Sequence, residues 1–101
     1  MTEETIVEKK TANRRLIKEP VKYKVIIYND DSTPVDFVIA MLMSIFKYSQ
    51  DNAYQLTLAV HNKGSAIAGI YVHEIAEQKA TDATQMARTN GFPLVLKVEP
   101  E

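Results

Sequence analysis

The chain is 101 residues long, 46% hydrophobic and 25% charged, with a formal net charge of −1, which suits one globular domain with one modest core. It has no Cys, which excludes a disulfide scaffold, a thiolate metal site and a Cys nucleophile. The near-neutral balance argues against an electrostatic grip on nucleic acid or anionic lipid, and the longest apolar run, Phe37 to Met43, is far short of a membrane span.

Residues 1–21 differ from the rest. The segment holds Glu3, Glu4, Glu8 and Glu19 together with Lys9, Lys10, Arg14, Arg15 and Lys18, and its larger aliphatic residues come in the isolated pairs Ile6-Val7 and Leu16-Ile17. Such a composition buries too little surface to offset its ordering entropy. A flexible extension over 1–21 is expected, followed by one domain over 22–101. The stretch has no apolar signal core, so a cytoplasmic setting is expected.

Tyr23 to Tyr28 is β-branched and aromatic and predicts a strand, with turn residues directly behind it in Asn29-Asp30-Asp31-Ser32. Thr33 then predicts a helix N-cap with Pro34 in the first helical position and Asp36 favouring the positive helix end. Val35, Val38, Ile39, Leu42 and Phe46 follow helical spacing and predict its core face, with Phe37, Met41 and Tyr48 off that face. Ser49 predicts the cap of a second helix, from about Gln50 to Asn62, stopped by Gly64. Its apolar positions are Ala53, Leu56 and Val60, with Tyr54 and Leu58 on another side. Ser65 to Tyr71 predicts a second strand. A third helix, from about Val72 to Asn90, carries Ile75, Ala76, Ala80, Ala83, Met86 and Ala87 as its inner stripe. Gly91 stops it, and Leu94 to Val98 predicts the last strand. The order is β-α-α-β-α-β. It suits a single two-layer α+β domain, with three mostly antiparallel strands and three helices on one face.

The residues offer little to an enzyme. His61 and His73 sit in no metal-ligand spacing, and three Gly form no phosphate-cradling loop. A Ser-His-Asp set is formally present without a nucleophile motif. Asp30-Asp31 beside a lone His could hold a metal, but adjacent carboxylates in a turn usually serve the turn. No catalysis, metal or cofactor is expected. Two features stand out. One is the polar run Asn29 to Thr33, which turn and cap chemistry explains only in part. The other is His61 behind Leu58-Ala59-Val60, which could equally be a half-buried His bonded to backbone. If the first two helices are neighbours, both features border one pocket with apolar walls and a rim of acceptors. Such a pocket suits an apolar group joined to a cation.

Those residues also carry a resemblance. The run Tyr23-Lys24-Val25-Ile26-Ile27-Tyr28-Asn29-Asp30-Asp31-Ser32-Thr33-Pro34 resembles the signature of the ClpS family, adaptors that deliver N-degron substrates to a ClpA- or ClpC-type AAA+ unfoldase. The likeness continues through Leu58-Ala59-Val60-His61-Asn62-Lys63-Gly64, Glu74-Ile75-Ala76-Glu77-Gln78-Lys79 and Phe92-Pro93-Leu94. It implies a β-α-α-β-α-β fold similar to the C-terminal domain of the ribosomal stalk protein. It implies that Asn29 and His61 bind the α-amino group of a substrate's first residue, with Asp30 helping to hold the substrate backbone. It implies a hydrophobic pocket lined by Asp31, Thr33, Val35, Val38, Thr57, Val60 and Leu94. Many relatives carry Met where Val35 and Thr57 stand. Val is shorter and stiff and Thr brings a hydroxyl, so the pocket is expected to differ in shape and polarity and to relax exclusion of β-branched first residues. Glu74 and Lys79 align with the family's surface for docking on the unfoldase N-domain; read without the resemblance, they are ordinary solvated charges. The 1–21 extension resembles the one that engages the unfoldase during transfer. The resemblance implies a monomeric adaptor without catalytic activity. An unfoldase modulator that has altered or lost N-degron binding is the alternative.

Overall fold

A computed structural model describes residues 21–101. The elements are β1 (Lys22–Tyr28), α1 (Val35–Ile45), α2 (Gln50–Lys63), β2 (Ser65–Val72), α3 (His73–Thr89) and β3 (Leu96–Pro100). The expected order is therefore observed. Of the expected 1–21 extension, all but Val21 lies outside the described residues. None of the described helices is long and apolar enough to cross a membrane.

β1 is the central strand of a three-stranded sheet ordered β2-β1-β3, and both pairings are antiparallel. Its alternation is the physical basis of the two layers: Val25 and Ile27 are fully buried, while Lys24, Ile26 and Tyr28 on the other face are only half-buried. α3 packs across all three strands. It comes close because its buried stripe is small, with Ala76, Ala80, Ala83 and Ala87. α1 and α2 pack on each other, and α1 also reaches α3.

That double contact changes the expected face of α1. Met41 is fully buried, not off the core, and Phe37 is half-buried with its ring edge-on to Phe92 at 4.9 Å. A helix held between two neighbours buries a wider stripe than periodicity against one layer implies. Val35, expected in the core, is 47% exposed at the first position of α1. Ile75 in the first turn of α3 is likewise exposed.

Ends differ in detail. Ser49 caps α2 as expected, its Oγ accepting from the Asn52 amide at 3.2 Å, and Gly64 ends it with a left-handed φ of 93°. Thr33 does not cap α1. The cap position is Pro34, whose carbonyl accepts from the Phe37 and Val38 amides, and the Thr33 hydroxyl turns to Asp30 instead. β3 begins at Leu96 rather than Leu94. Leu94 is fully buried just before it, while the Tyr28 amide donates to the Val95 carbonyl at 3.1 Å.

Two contacts lock the far end of α1. The Lys79 ammonium donates to the Ile45 carbonyl at 2.8 Å and lies over the Tyr71 ring at 5.5 Å from its centroid. The Tyr48 hydroxyl donates to the Ala68 carbonyl at 2.6 Å. Burial pushes the pKa of both the Tyr48 and Tyr71 phenols above the ordinary value, so it disfavours their ionisation.

Candidate functional site

The loop after β1 is built from short polar residues that bond to one another. Asp30 Oδ2 accepts from the Ser32 hydroxyl at 2.8 Å and the Thr33 hydroxyl at 2.6 Å, and the Asp30 carbonyl accepts from the Thr33 amide at 3.1 Å. This is local Asx and hydroxyl turn chemistry, which fixes backbone that no strand or helix holds. The Thr33 hydroxyl, then that of Ser32, stabilises the charged carboxylate and holds Asp30 below the usual carboxylate range. The loop is anchored across the fold by the Asn29 amide, which donates to the Gly64 carbonyl at 2.9 Å. Gly64 closes α2 directly behind His61, so Asn29 and His61 come to two sides of one hollow.

That hollow is a cavity of about 140 Å³. Val38 of α1, Val60 of α2 and Leu94 supply buried apolar wall, and half-exposed Val35 forms part of the rim. Asn29, Asp30, Asp31, Thr33, Thr57 and His61 complete the expected lining. The cavity therefore brings together each expected pocket and α-amino residue. It also includes Ile27 and Tyr28, which the sequence reading missed. The signal was available: strand alternation turns Ile27 inward two residues before Asn29.

Thr57 departs from expectation in its chemistry. It is 5% exposed and its hydroxyl donates to the Ala53 carbonyl one turn back at 2.7 Å. The proton is thus committed to its own helix. The expected gain in pocket polarity is reduced, and the change of shape remains.

Glu74 and Lys79 lie outside the cavity, on α3. Glu74 is exposed in the first turn. Lys79 is half-buried and bonded to Ile45, so it is not the freely solvated charge that its position in the sequence suggests.

Among the described residues, no three metal-ligating side chains converge. The acceptors at the rim are one amide, two carboxylates and one imidazole. At 3.1 Å the Asn29 side-chain Nδ2 donates to Asp31 Oδ1, which leaves the amide oxygen as an acceptor. An apolar hole of this volume takes a ring-sized group, since a cavity of about 150 Å³ holds benzene. The acceptors above it take a cation.

A two-layer α+β domain with such a hole has the form of a small binding module. The profile of ATP-dependent Clp protease adaptor protein ClpS matches residues 18–97, and the chain belongs to that family. Similar proteins include the ATP-dependent Clp protease adapter protein ClpS of Treponema denticola, 51% identical over 80% of each chain. The ClpS 1 of Bradyrhizobium diazoefficiens is 35% identical over 97% of each chain. Among solved structures, Agrobacterium tumefaciens ClpS2 bound to L-phenylalaninamide superposes with a TM-score of 0.80. It is 40% identical and covers 82% of this chain and all of that one.

Proposed function

We propose that this chain is a ClpS-type adaptor. It binds the free α-amino group and bulky hydrophobic first residue of N-degron substrates and delivers them to a ClpAP- or ClpCP-type ATP-dependent protease. The observation that carries the reading is the apolar cavity with Asn29 and His61 at its rim. L-phenylalaninamide, the ligand of the Agrobacterium relative, is chemically the end of a peptide: a free amine, an aromatic side chain and an amide.

The energetics fit that ligand class. A free α-amino group has a pKa of about 7.7–8.0, so it is mostly an ammonium with three donors at neutral pH. The Asn29 amide oxygen and a neutral His61 imidazole nitrogen accept from it, and the Asp30 and Asp31 carboxylates add favourable field. Asp30 helps to hold the substrate backbone, in the same ionised state that fixes the loop. Burying a large apolar side chain adds roughly 1.5–3 kcal/mol. Acetylation removes the charge and two donors, and each acceptor left unpaired costs about 1–3 kcal/mol. A small site thereby distinguishes a free terminus from an internal segment.

In this reading the adaptor is a monomer in the cytoplasm, performs no catalysis and docks on the N-domain of a ClpA- or ClpC-type unfoldase through α3. Exposed Glu74 is offered directly at that surface. Lys79 reaches it only by its outer flank.

The test is fluorescence anisotropy with peptides headed by Leu, Phe, Tyr, Trp, Ile, Val and Met, and an N-acetylated Phe control. Binding of free bulky termini but not of the acetylated peptide is expected. No binding by any peptide would overturn the reading in favour of an unfoldase modulator.

A further inference from the structure

We propose that the open face of the sheet is a second contact surface for the substrate. It takes the segment behind the first residue and favours apolar side chains there, followed by a carboxylate. The proposal rests on the adaptor reading above and extends it beyond the substrate's first residue.

The register decides what this face carries, since side chains directly opposite one another in paired strands share a face. Val25 and Ile27 point into the core, so Lys24, Ile26 and Tyr28 point away from it. Ile26 stands between Ile67 of β2 and Lys97 of β3, and Lys24 stands between Ile70 and Glu99. Val95, whose carbonyl accepts from the Tyr28 amide, lies between buried Leu94 and Leu96, the partner of Ile27, and so turns the same way. Ile67 and Ile70 are each 44% exposed and Val95 is 41% exposed. Apolar side chains left in water singly need no explanation, but these lie together with Ile26 and Tyr28 on one surface.

Two observations name the occupant. One is continuity. Tyr28 belongs both to this face and to the lining of the cavity. A chain whose first side chain fills the cavity therefore leaves it beside this surface. Ile26 lies two residues along β1 from Tyr28, about 7 Å, which extended substrate crosses in about two residues, so its third and fourth positions meet Ile26 and Ile67. The other is charge. The cavity rim carries Asp30 and Asp31, whereas the Lys97 ammonium lies over the Tyr28 ring at 5.7 Å from its centroid, beside the isoleucines. A substrate carboxylate is repelled at the rim and attracted further along. The patch needs little affinity of its own, because a segment tethered by its first residue meets it at high effective concentration.

The test is calorimetric titration of the full chain. One ligand is L-phenylalaninamide, which ends at the first residue. The others are three Phe-headed peptides of one length: Gly and Ser throughout, Leu at the third and fourth positions with Glu at the sixth, and the same with Lys at the sixth. The Leu–Glu peptide should bind about fivefold or more tighter than the Gly/Ser peptide, and the Lys version about threefold weaker than the Glu version. Ile67→Thr, which keeps a β-branched residue in the strand, should bring the Leu–Glu peptide to within about twofold of the Gly/Ser peptide. Lys97→Glu should invert the preference at the sixth position. L-phenylalaninamide should bind all three proteins equally. In ¹H–¹⁵N spectra the Ile67 and Lys97 amides should move with the Leu–Glu peptide and not with L-phenylalaninamide.

L-phenylalaninamide binding without a gain from leucine overturns the proposal alone. So does a gain that survives Ile67→Thr, or an equal loss of L-phenylalaninamide in that variant, since the effect then passes through the cavity. Ile67 signals that depend on protein concentration assign the face to a second copy, and signals that change with Leu16→Ser/Ile17→Ser assign it to the chain's own first residues; either overturns the proposal. No binding of L-phenylalaninamide or of any peptide overturns the adaptor reading, and this surface with it.

Discussion

Lys79 Nζ and the Ile45 carbonyl lie 2.8 Å apart, 34 residues apart in the chain, so a charged side chain of α3 caps the C-terminal end of α1. A cation at a helix C-terminus satisfies an orphan carbonyl and complements the dipole. Lys79→Ala is therefore expected to lower stability by about 1 kcal/mol in urea unfolding, discounted for partial exposure. Glu74→Ala, fully on the surface, is expected to stay within about 0.5 kcal/mol. Loss of unfoldase binding by Glu74→Ala at unchanged stability reports the docking face. Loss by Lys79→Ala must first be corrected for the fold.

Gly69 lies in β2 beside the register shift at Val25/Ile26, and the Tyr71 ring covers the space where its Cβ would be. Gly69→Ala must displace that ring, which stacks near Phe46 at 6.5 Å and under Lys79. A loss of about 1–3 kcal/mol is expected, read as a lower melting temperature. In a Tyr71→Ala background the same substitution should cost distinctly less. An equal cost in both would assign the effect to the backbone.

Peptide affinity should fall once His61 is protonated. An imidazolium cannot accept a hydrogen bond and repels an ammonium. Asp30 cannot supply that change. Its carboxyl lies below the ordinary range because Thr33 and Ser32 donate to it, so its contribution to loop stability is full above that range and is lost only as pH falls through the lowered value. His61→Gln, which accepts at every pH, should flatten the profile. A flat profile in the unsubstituted protein would count against His61 as the acceptor.

Val35 leaves the rim short and half-exposed, so an Ile-headed peptide should bind within about a hundredfold of a Leu-headed one, a discrimination of less than roughly 2.7 kcal/mol. Val35→Met should widen the gap by covering the mouth with a longer side chain. A gap already beyond a hundredfold would remove Val35 as a determinant.

Thr57→Val should leave both the ranking and stability nearly unchanged. The hydroxyl it removes donates to the Ala53 carbonyl, not into the cavity. A selective loss of Tyr-headed peptides, measured in the same anisotropy series, would mean that the oxygen also serves the ligand.

What could be read from the sequence was local chemistry. Asn29 to Thr33, Ser49 and Gly64 announce a turn, a cap and a stop because their bonds close within a few residues. Residue spacing pointed to Asn29–Thr33 and His61; the remaining pocket walls came from the family resemblance, because α1, α2 and Leu94 meet only in the folded chain. Met41 and Lys79 were misjudged for one reason. Each is oriented by an element distant in sequence, and a periodic pattern describes one face without naming its neighbours.

The tie between the Asn29 amide and the Gly64 carbonyl, 2.9 Å long, continues the β1–β2 pairing one step past Tyr28↔Ser65. In the proposed site, Asn29 thus hangs from a main-chain ladder, while His61 shares α2 with the wall residues Thr57 and Val60. In that reading, α2 serves both the free end and the choice of side chain, and α1 serves the choice alone. Under the proposed function, a substitution on α1 such as that at Val35 would retune the preference without touching the element that carries His61, which makes α1 the natural place for adaptors to acquire new tastes.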